Sequence, residues 1–131
     1  SLSDLFCVER HKPHFLDLVK NKLDIIFANE QEILELADAK SFDQVISFGK
    51  ELNKTLVITR SDKGSVVINH NDIFECESQK NLKIVDLTGA GDLFAAGFLN
   101  GYINRMSLRD SLYKGTEMAS KIIQQIGARI N

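Results

Sequence analysis

The stretch from Asp86 to Asp92 holds two carboxylates and a pair of glycines within seven residues. Gly89 and Gly91 flank an alanine, and such a backbone can turn sharply and bring consecutive N–H groups to one point. A strand-like apolar run, Leu82 to Val85, precedes the stretch, and a small-residue apolar helix, Leu93 to Ile103, follows it. A helix start favours an anion, and a carboxylate beside that anion suits deprotonation of a hydroxyl while phosphate charge is stabilised.

The order Asp-x-Thr-Gly-Ala-Gly-Asp, continued by Leu93 to Phe98, resembles the second signature of the ribokinase-like PfkB family of sugar and nucleoside kinases. The alternative is a helix N-terminus with a tight turn and a capping acid. The resemblance implies that Asp92 is the catalytic base and that Gly89, Ala90 and Gly91 donate N–H groups to the transferring phosphate. For such a phosphoryl transfer, positioning and electrostatics must supply most of the catalysis.

Asn29-x-x-Glu32 resembles the Asn-x-x-Glu motif of the same family. The resemblance implies that Asn29 helps to organise the ATP phosphates and that Glu32 organises Mg²⁺ through water, which this ion retains readily. The alternative is structural, because Asn at an N-cap with Glu at the third helical position is a capping box.

The turn from Thr59 to Gly64 resembles the family's Thr-x-Gly-x-x-Gly turn beside the ATP phosphates. It implies phosphate-binding roles for Thr59, Ser61 and Gly64. Ser61 stands where the first glycine is usual, and its hydroxyl could bond a phosphate oxygen. Arg60 and Lys63 either add positive charge there or are solvated turn residues.

Asp86 and Thr88 flank the glycine turn. In related sugar kinases the matching positions bind a monovalent cation, so the resemblance implies a K⁺ site at Asp86 and a cofactor-binding role for Thr88. The alternatives are a helix cap at Thr88 and, at Asp86, a turn residue that accepts hydrogen bonds from nearby backbone N–H groups.

Further likeness extends to adenosine kinases, through Leu2-Ser3-x-x-Phe6, the run from Leu23 to Glu30, and the closing Ile126 to Arg129. It implies that Phe6 packs on the substrate base, although Phe6 could equally be core. The family layout puts the adenine slot around Ala119, Ile123 and Gly127, which we interpret first as core residues.

The periodicity of apolar residues predicts the elements that must position these groups. Ser1 to Arg10 reads as a loop. We expect helices at 14–20, 30–37, 42–52, 93–103 and 108–125, strands at 23–28, 55–59 and 80–85, and a hairpin at 65–69 and 72–75. This order predicts an α/β fold, a layered and partly parallel sheet with flanking helices. Residues 1–131 are expected to form a single domain, the C-terminal ATP-binding half of a ribokinase-like fold.

The bulk properties are those of an ordinary globular protein: 131 residues, 44% hydrophobic and 26% charged. A net charge of −2 gives no indication of nucleic acid, and no apolar run reaches membrane-spanning length. Cys7 and Cys76 lack ligand spacing, so free thiols in the cytoplasm are expected, with a disulfide or metal pair as the minor alternative. His11 and His14 are expected on a surface helix face.

Together these features predict a kinase that moves the γ-phosphate of MgATP to a hydroxyl of a nucleoside such as adenosine, or of a ribose-like sugar. Two alternatives remain open. One is an inactive or half-site nucleotide-binding module that needs a separate N-terminal chain, because the substrate and lid half of the family fold is absent. The other is a non-enzymatic interaction domain. A chain of this kind is expected to be a fragment or a split gene product and to self-associate through exposed apolar surface.

Overall fold

The computed structural model describes all residues from Ser1 to Asn131. Five helices, four strands and a short 3₁₀ turn at Ser61–Lys63 follow one another along the chain. Their order is α1 (Leu5–Asn21), β1 (Ile25–Asn29), α2 (Glu30–Leu36), α3 (Phe42–Leu52), β2 (Thr55–Thr59), β3 (Ser65–Asn69), β4 (Asp72–Cys76), α4 (Ala90–Ile103) and α5 (Leu108–Ile122).

The four strands form one sheet in the order β1-β2-β3-β4. Strands β1 and β2 are parallel, with Ile25 opposite Thr55 and Asn29 opposite Thr59. Only two residues connect β3 to β4. Because a connection this short cannot cross over to form a parallel pair, β3 and β4 are antiparallel. The sheet is therefore partly parallel, as predicted, and both parallel strands end at residues of the candidate site.

The chain divides into two compact units. The first comprises residues 1–60 and 66–73, and the second comprises residues 61–65 and 74–131. The core of the first unit contains fully buried aliphatic side chains from helices and strands alike, among them Val8, Val19, Ile33, Leu56 and Ile68. The expectation of one single domain stays a prediction.

Helices α4 and α5 form the body of the second unit and approach each other closely. A Cβ atom at Gly97 would lie 2.6 Å from the carbonyl oxygen of Lys114, and one at Gly115 would lie 2.8 Å from that of Phe94. Phe98 and Leu112 are fully buried. This packing fixes the axis of α4, whose first turn contains Asp92.

Local helix signals account for most of the boundaries. Asn29, Ser41 and Ser107 cap α2, α3 and α5 as predicted, each by accepting a hydrogen bond from the N–H group three residues on. Asn53 ends α3 in the left-handed conformation. Helix α4 begins three residues earlier than expected, and α5 ends at Ile122 instead of continuing to residue 125.

The prediction that residues 1–10 form a loop was wrong from Leu5 onward. Helix α1 begins at Leu5, where the Asp4 carboxylate caps it by accepting a hydrogen bond from the Cys7 N–H at 2.8 Å. The helix is kinked at His11, two residues before Pro13, because a proline removes one helical hydrogen bond and its ring crowds the preceding turn. The helix predicted at 14–20 is therefore the part of a longer helix that follows the kink. His11 and His14 are exposed on it, as expected.

The predicted strand at 80–85 was also wrong. Ile84 and Val85 are exposed, and the N–H groups of Val85 and Asp86 both donate to the carbonyl oxygen of Ile123, at 2.7 and 3.2 Å. A strand needs a lateral partner, and this segment bonds instead to the end of α5. Cys7 and Cys76 are both free thiols. No helix combines the length and the apolar composition that crossing a membrane requires.

Candidate active site

The first turn of α4 has an unusual start. Its N-cap, Gly89, lies in the left-handed region at φ 78°, and no side chain caps the helix. A Cβ atom at Gly89 would lie 2.8 Å from the Cβ of Ala128. Both the backbone conformation and the close approach of residue 128 therefore require glycine here. The alternative interpretation of Thr88 as the helix cap is wrong, because Gly89 occupies that position.

The N–H groups of this turn are used unequally. Ala90 N–H donates to the Leu87 carbonyl oxygen at 3.2 Å, and Leu93 N–H donates to Gly89 at 2.9 Å. The N–H groups of Gly91 and Asp92 between them have no acceptor within the chain, as expected for the first turn of an uncapped helix. The Asp92 carboxylate is exposed and makes no hydrogen bond or ion pair within the chain. The turn therefore presents donors and a carboxylate to solvent.

Asp86 holds the chain that enters this turn. Its Oδ1 accepts from the N–H and the hydroxyl of Thr88, at 2.8 and 2.6 Å, and its Oδ2 accepts from the N–H of Gly127 at 3.0 Å. These bonds, led by that of the Thr88 hydroxyl, lower the pKa of Asp86 to about 2. Asp86 thus ties the glycine turn to the C-terminal segment. The sequence interpretation missed this contact, because nothing in the local pattern relates two residues 41 positions apart.

The start of α2 is closed by its own side chains. Asn29 Oδ1 accepts from the Glu32 N–H at 2.8 Å, and Glu32 Oε2 accepts from the Asn29 N–H at 2.9 Å. This is the capping box that the sequence allowed as the alternative to a metal-organising motif. The Asn29 amide nitrogen and Glu32 Oε1 have no partner within the chain, so the box leaves one polar atom of each side chain available.

Glu32 is buried, with 5% of its surface exposed. Burial raises the pKa of Glu32, while the hydrogen bond from Asn29 N–H opposes the shift and the negative charge of Asp4 adds to it. No group of three or more His, Cys, Asp or Glu residues could enclose a metal ion. The protein therefore offers no cage for a metal ion here, and a magnesium ion at this start would be held mainly by water and phosphate.

The turn between β2 and β3 has two residues with positive φ. Ser61, which stands where the motif that it resembles has glycine, lies at φ 52°, and Gly64 lies at φ 89°. A Cβ atom at Gly64 would lie 2.0 Å from the carbonyl oxygen of Cys76, so no other residue fits there. Ser61 and Lys63 are exposed, and Thr59 is half-buried at the end of β2. The turn conformation thus explains both glycine positions of the motif.

Arg60 is not a solvated turn residue, so one of its two predicted alternatives is wrong. Its side chain is only 17% exposed and is held within the first unit. The guanidinium donates to Glu30 Oε1 at 3.0 Å, and its carbon lies 3.5 Å from the centre of the Phe42 ring. Lys63 is exposed on its turn and has no ion pair.

The remaining candidate residues lie near the surface. Phe6 is 78% exposed on the first turn of α1, so the interpretation of Phe6 as core is wrong. Ala119, Ile123 and Gly127 are each half-buried, so they are not the core residues that we expected. The structure thus forms two groups: Asn29 with Glu32 in the first unit, and Asp86, Thr88 and Gly89 with Gly127 in the second.

Comparison with known proteins identifies the family. Residues 6–131 match the model of the pfkB family carbohydrate kinases. The chain therefore belongs to the PfkB family, as the motifs predicted.

Solved structures confirm the ribokinase-like α/β fold. A probable sugar kinase from Rhizobium etli is 41% identical, with a TM-score of 0.93 over 98% of this chain and 39% of that protein. An adenosine kinase from Sinorhizobium meliloti is 40% identical, with the same TM-score and the same coverage. Among characterised proteins, a cytidine kinase from Thermococcus kodakarensis is 33% identical over 114 residues, 83% of this chain and 40% of that protein. The chain thus spans about 40% of the length of these relatives.

Proposed function

We propose that this chain is the ATP-binding and catalytic part of a PfkB-type kinase that transfers the γ-phosphoryl group of ATP to a hydroxyl of a nucleoside or ribose-like sugar. One observation carries the proposal. The first turn of α4 combines a left-handed glycine, N–H donors without an internal acceptor and an exposed carboxylate. Membership of the PfkB family indicates phosphoryl transfer as the reaction at that turn. We place this reaction in the cytoplasm, where ATP is available.

In the proposed reaction Asp92 takes the proton of the acceptor hydroxyl as its oxygen attacks the γ-phosphorus. The bond from phosphorus to the bridging oxygen breaks, and ADP leaves. The N–H groups at Gly89, Gly91 and Asp92 stabilise the charge on the transferring phosphoryl oxygens. Ala90 N–H already donates to Leu87, so its share in this anion hole requires that bond to lengthen or to be shared.

Asn29, Thr59, Ser61 and Gly64 would contact the remaining phosphates and their solvent. A bound Mg²⁺ would supply positive charge that neutralises the charge developing on the phosphates. Glu32 Oε1 would hold a water of that ion, since its other oxygen is occupied by Asn29. The contacts of Asp86 favour its role in the turn over that of a K⁺ ligand, because three hydrogen bonds already use most of its acceptor capacity.

A nucleoside acceptor is supported by the exposed ring of Phe6 and by the similarity to an adenosine kinase and a cytidine kinase. An aromatic side chain in open solvent offers a stacking surface for a base. The half-buried residues Ala119, Ile123 and Gly127 would line the adenine slot of ATP.

A second candidate is a nucleotide-binding module that transfers phosphate only with a separate N-terminal chain. The exposure of the Asp92 carboxylate to solvent favours it. A kinase site that is open to water would hydrolyse ATP unproductively.

Two measurements separate these functions. Calorimetric titration with a non-hydrolysable ATP analogue and Mg²⁺ should show binding under both proposals, and an interaction domain would show none. Transfer of labelled phosphate to adenosine, cytidine or ribose should then occur with the chain alone if it is an enzyme. Binding without transfer would support the module and overturn the enzyme.

A further inference from the structure

Arg60 joins three element ends that the sequence separates widely. It directly follows the last residue of β2, Glu30 is the first residue of α2, and Phe42 is the first residue of α3. The guanidinium donates to Glu30 at 3.0 Å and lies 3.5 Å from the centre of the Phe42 ring. All three residues belong to the first unit.

The contacts of Arg60 indicate that it serves to orient its neighbours more than to neutralise their charge. It makes one hydrogen bond to Glu30, and its Nε is buried without a partner. A planar guanidinium stacked on an aromatic face accepts this arrangement, whereas a lysine ammonium has neither the plane nor the fork. The stack therefore fixes the direction from which Arg60 reaches Glu30.

Glu30 lies directly between the candidate residues of the α2 start. Asn29 precedes it, and Glu32 closes the capping box two residues later. Because Glu30 is continuous with both residues along the backbone, a side chain that holds Glu30 in place would also restrict Asn29 and Glu32. We propose that Arg60 is a positioning residue that orients Asn29 and Glu32 toward the phosphates and the solvated magnesium ion. The effect on magnesium and phosphate rests on the proposed function, whereas the effect on the Asn29–Glu32 cap does not.

Lys12 provides a matched control. It forms ion pairs with Glu35 at 3.2 Å and Asp38 at 2.6 Å, at the opposite end of α2, and its side chain is 21% exposed against 17% for Arg60. Replacing either residue by methionine removes a half-buried cation that holds α2. Only Arg60→Met should disturb the Asn29–Glu32 cap.

The first test needs no nucleotide. Hydrogen exchange of the Glu32 N–H, measured by NMR in the full chain, reports opening of the cap. Arg60→Met should accelerate that exchange about tenfold or more, while Lys12→Met should leave it within about twofold of the wild type. Unchanged exchange in Arg60→Met would overturn the inference, even if the chain bound no ATP.

The second test compares the affinity for a non-hydrolysable ATP analogue with and without Mg²⁺. Arg60→Met should reduce the gain in affinity due to magnesium by about tenfold, since residues that orient metal-organising side chains have effects of this size. Lys12→Met should lower only the melting temperature. A magnesium gain that survives in Arg60→Met would overturn the inference, whereas a wild-type chain without any ATP binding would overturn the proposed function.

Arg60→Lys keeps the charge and is the variant to use if Arg60→Met fails to fold. Arg60→Lys should lose most of the Glu32 N–H protection and most of the magnesium gain, because lysine cannot reproduce the stack on Phe42. Full recovery of both Glu32 protection and the magnesium gain with lysine would overturn positioning by the guanidinium plane.

Discussion

The helix starts at α2 and α4 both resemble motifs of the PfkB family, yet they are built in opposite ways. At α2, Asn29 and Glu32 satisfy each other's backbone N–H groups, and Glu32 is buried. At α4, no side chain caps the helix, and the N–H groups of Gly91 and Asp92 have no acceptor within the chain. The α2 start thus satisfies its own donors, whereas the α4 start leaves two N–H donors facing solvent.

This difference assigns the two starts separate tasks. An uncapped helix N-terminus with adjacent donors can bind a phosphate directly. In a closed capping box the backbone N–H groups of Asn29 and Glu32 already donate to side chains. The α2 start can therefore act on phosphate and magnesium only through its remaining polar atoms and through water. The comparison therefore predicts large catalytic effects at α4, and effects of stability and ion dependence at α2.

The largest effect is expected from Asp92→Asn. The variant keeps the shape of the first turn but cannot accept the proton, so phosphoryl transfer should fall by about 10²–10⁴-fold. Affinity for the ATP analogue should stay within about twofold, since the turn donors are intact. Transfer assays and calorimetry measure the two quantities.

Asp110→Asn is the control for this substitution, because Asp110 occupies the first turn of α5 and is also exposed. It should leave transfer unchanged. Full activity in Asp92→Asn would remove the base from the mechanism.

The glycines at the α4 start offer a matched pair. Gly89→Ala should lower the free energy of unfolding by about 1–3 kcal/mol, because φ is 78° and a Cβ would meet Ala128. Gly91→Ala should have little effect on stability, since a Cβ there meets nothing within 4 Å. It should nonetheless weaken binding of the ATP analogue about tenfold, about 1.4 kcal/mol, by filling the space that the phosphate needs. Urea unfolding and calorimetry separate these effects, and unaltered nucleotide affinity in Gly91→Ala would contradict the anion site.

At α2 the cap itself should contribute to the free energy of unfolding. Asn29→Ala should lower the free energy of unfolding by about 1 kcal/mol through loss of the capping bond. Ser41→Ala, which removes the equivalent bond at α3, should cost a similar amount. Only Asn29→Ala should also reduce the magnesium dependence of ATP binding. Equal magnesium dependence of ATP binding in both variants would show that Asn29 serves only as a helix cap.

The smallest effects concern pH and have opposite signs at the two motifs. Burial raises the pKa of Glu32 above its usual 4.5, so the folded chain retains a proton that the unfolded chain has lost, and the ionisation of Glu32 reduces stability as pH rises through that window. The Glu32→Gln variant lacks this ionisation, so the difference between its free energy of unfolding and that of the wild type should shift in favour of the variant as pH rises above 4.5.

Asp86 should behave in the reverse way. Its pKa is lowered from 3.8 to about 2, so its contribution to stability is present above pH 3.8 and is lost as pH falls toward 2. Asp86→Asn should lose this acid dependence. Urea unfolding over a pH series tests both residues, and parallel pH profiles for the two variants would contradict the assigned environments.

The sequence predicted the local features of this fold well. Caps at Asn29, Ser41 and Ser107 and the strand at β2 were confirmed, because each depends on residues a few positions apart. The same local rule would have found the start of α1, since Asp4 is a good N-cap residue, had the following residues not been interpreted as a loop.

Contacts between distant segments could not be predicted in this way. The run at 80–85 has strand-like residues, but only the structure shows that it bonds to Ile123 and not to another strand. The bond from Gly127 to Asp86 and the stack of Arg60 on Phe42 likewise join residues whose separation follows no period. The motifs thus identified the candidate site, and the tertiary structure identified what supports it.

The most direct test of the central claim is an NMR titration of the ¹⁵N-labelled chain with the non-hydrolysable ATP analogue and Mg²⁺. If the α4 start is the anion site, the largest shifts should fall on the N–H groups of Gly89, Gly91 and Asp92, with smaller shifts at Asn29 and Glu32. Gly91→Ala should diminish the shifts at α4. Binding that leaves the α4 start unperturbed, with shifts confined to other segments, would contradict the account.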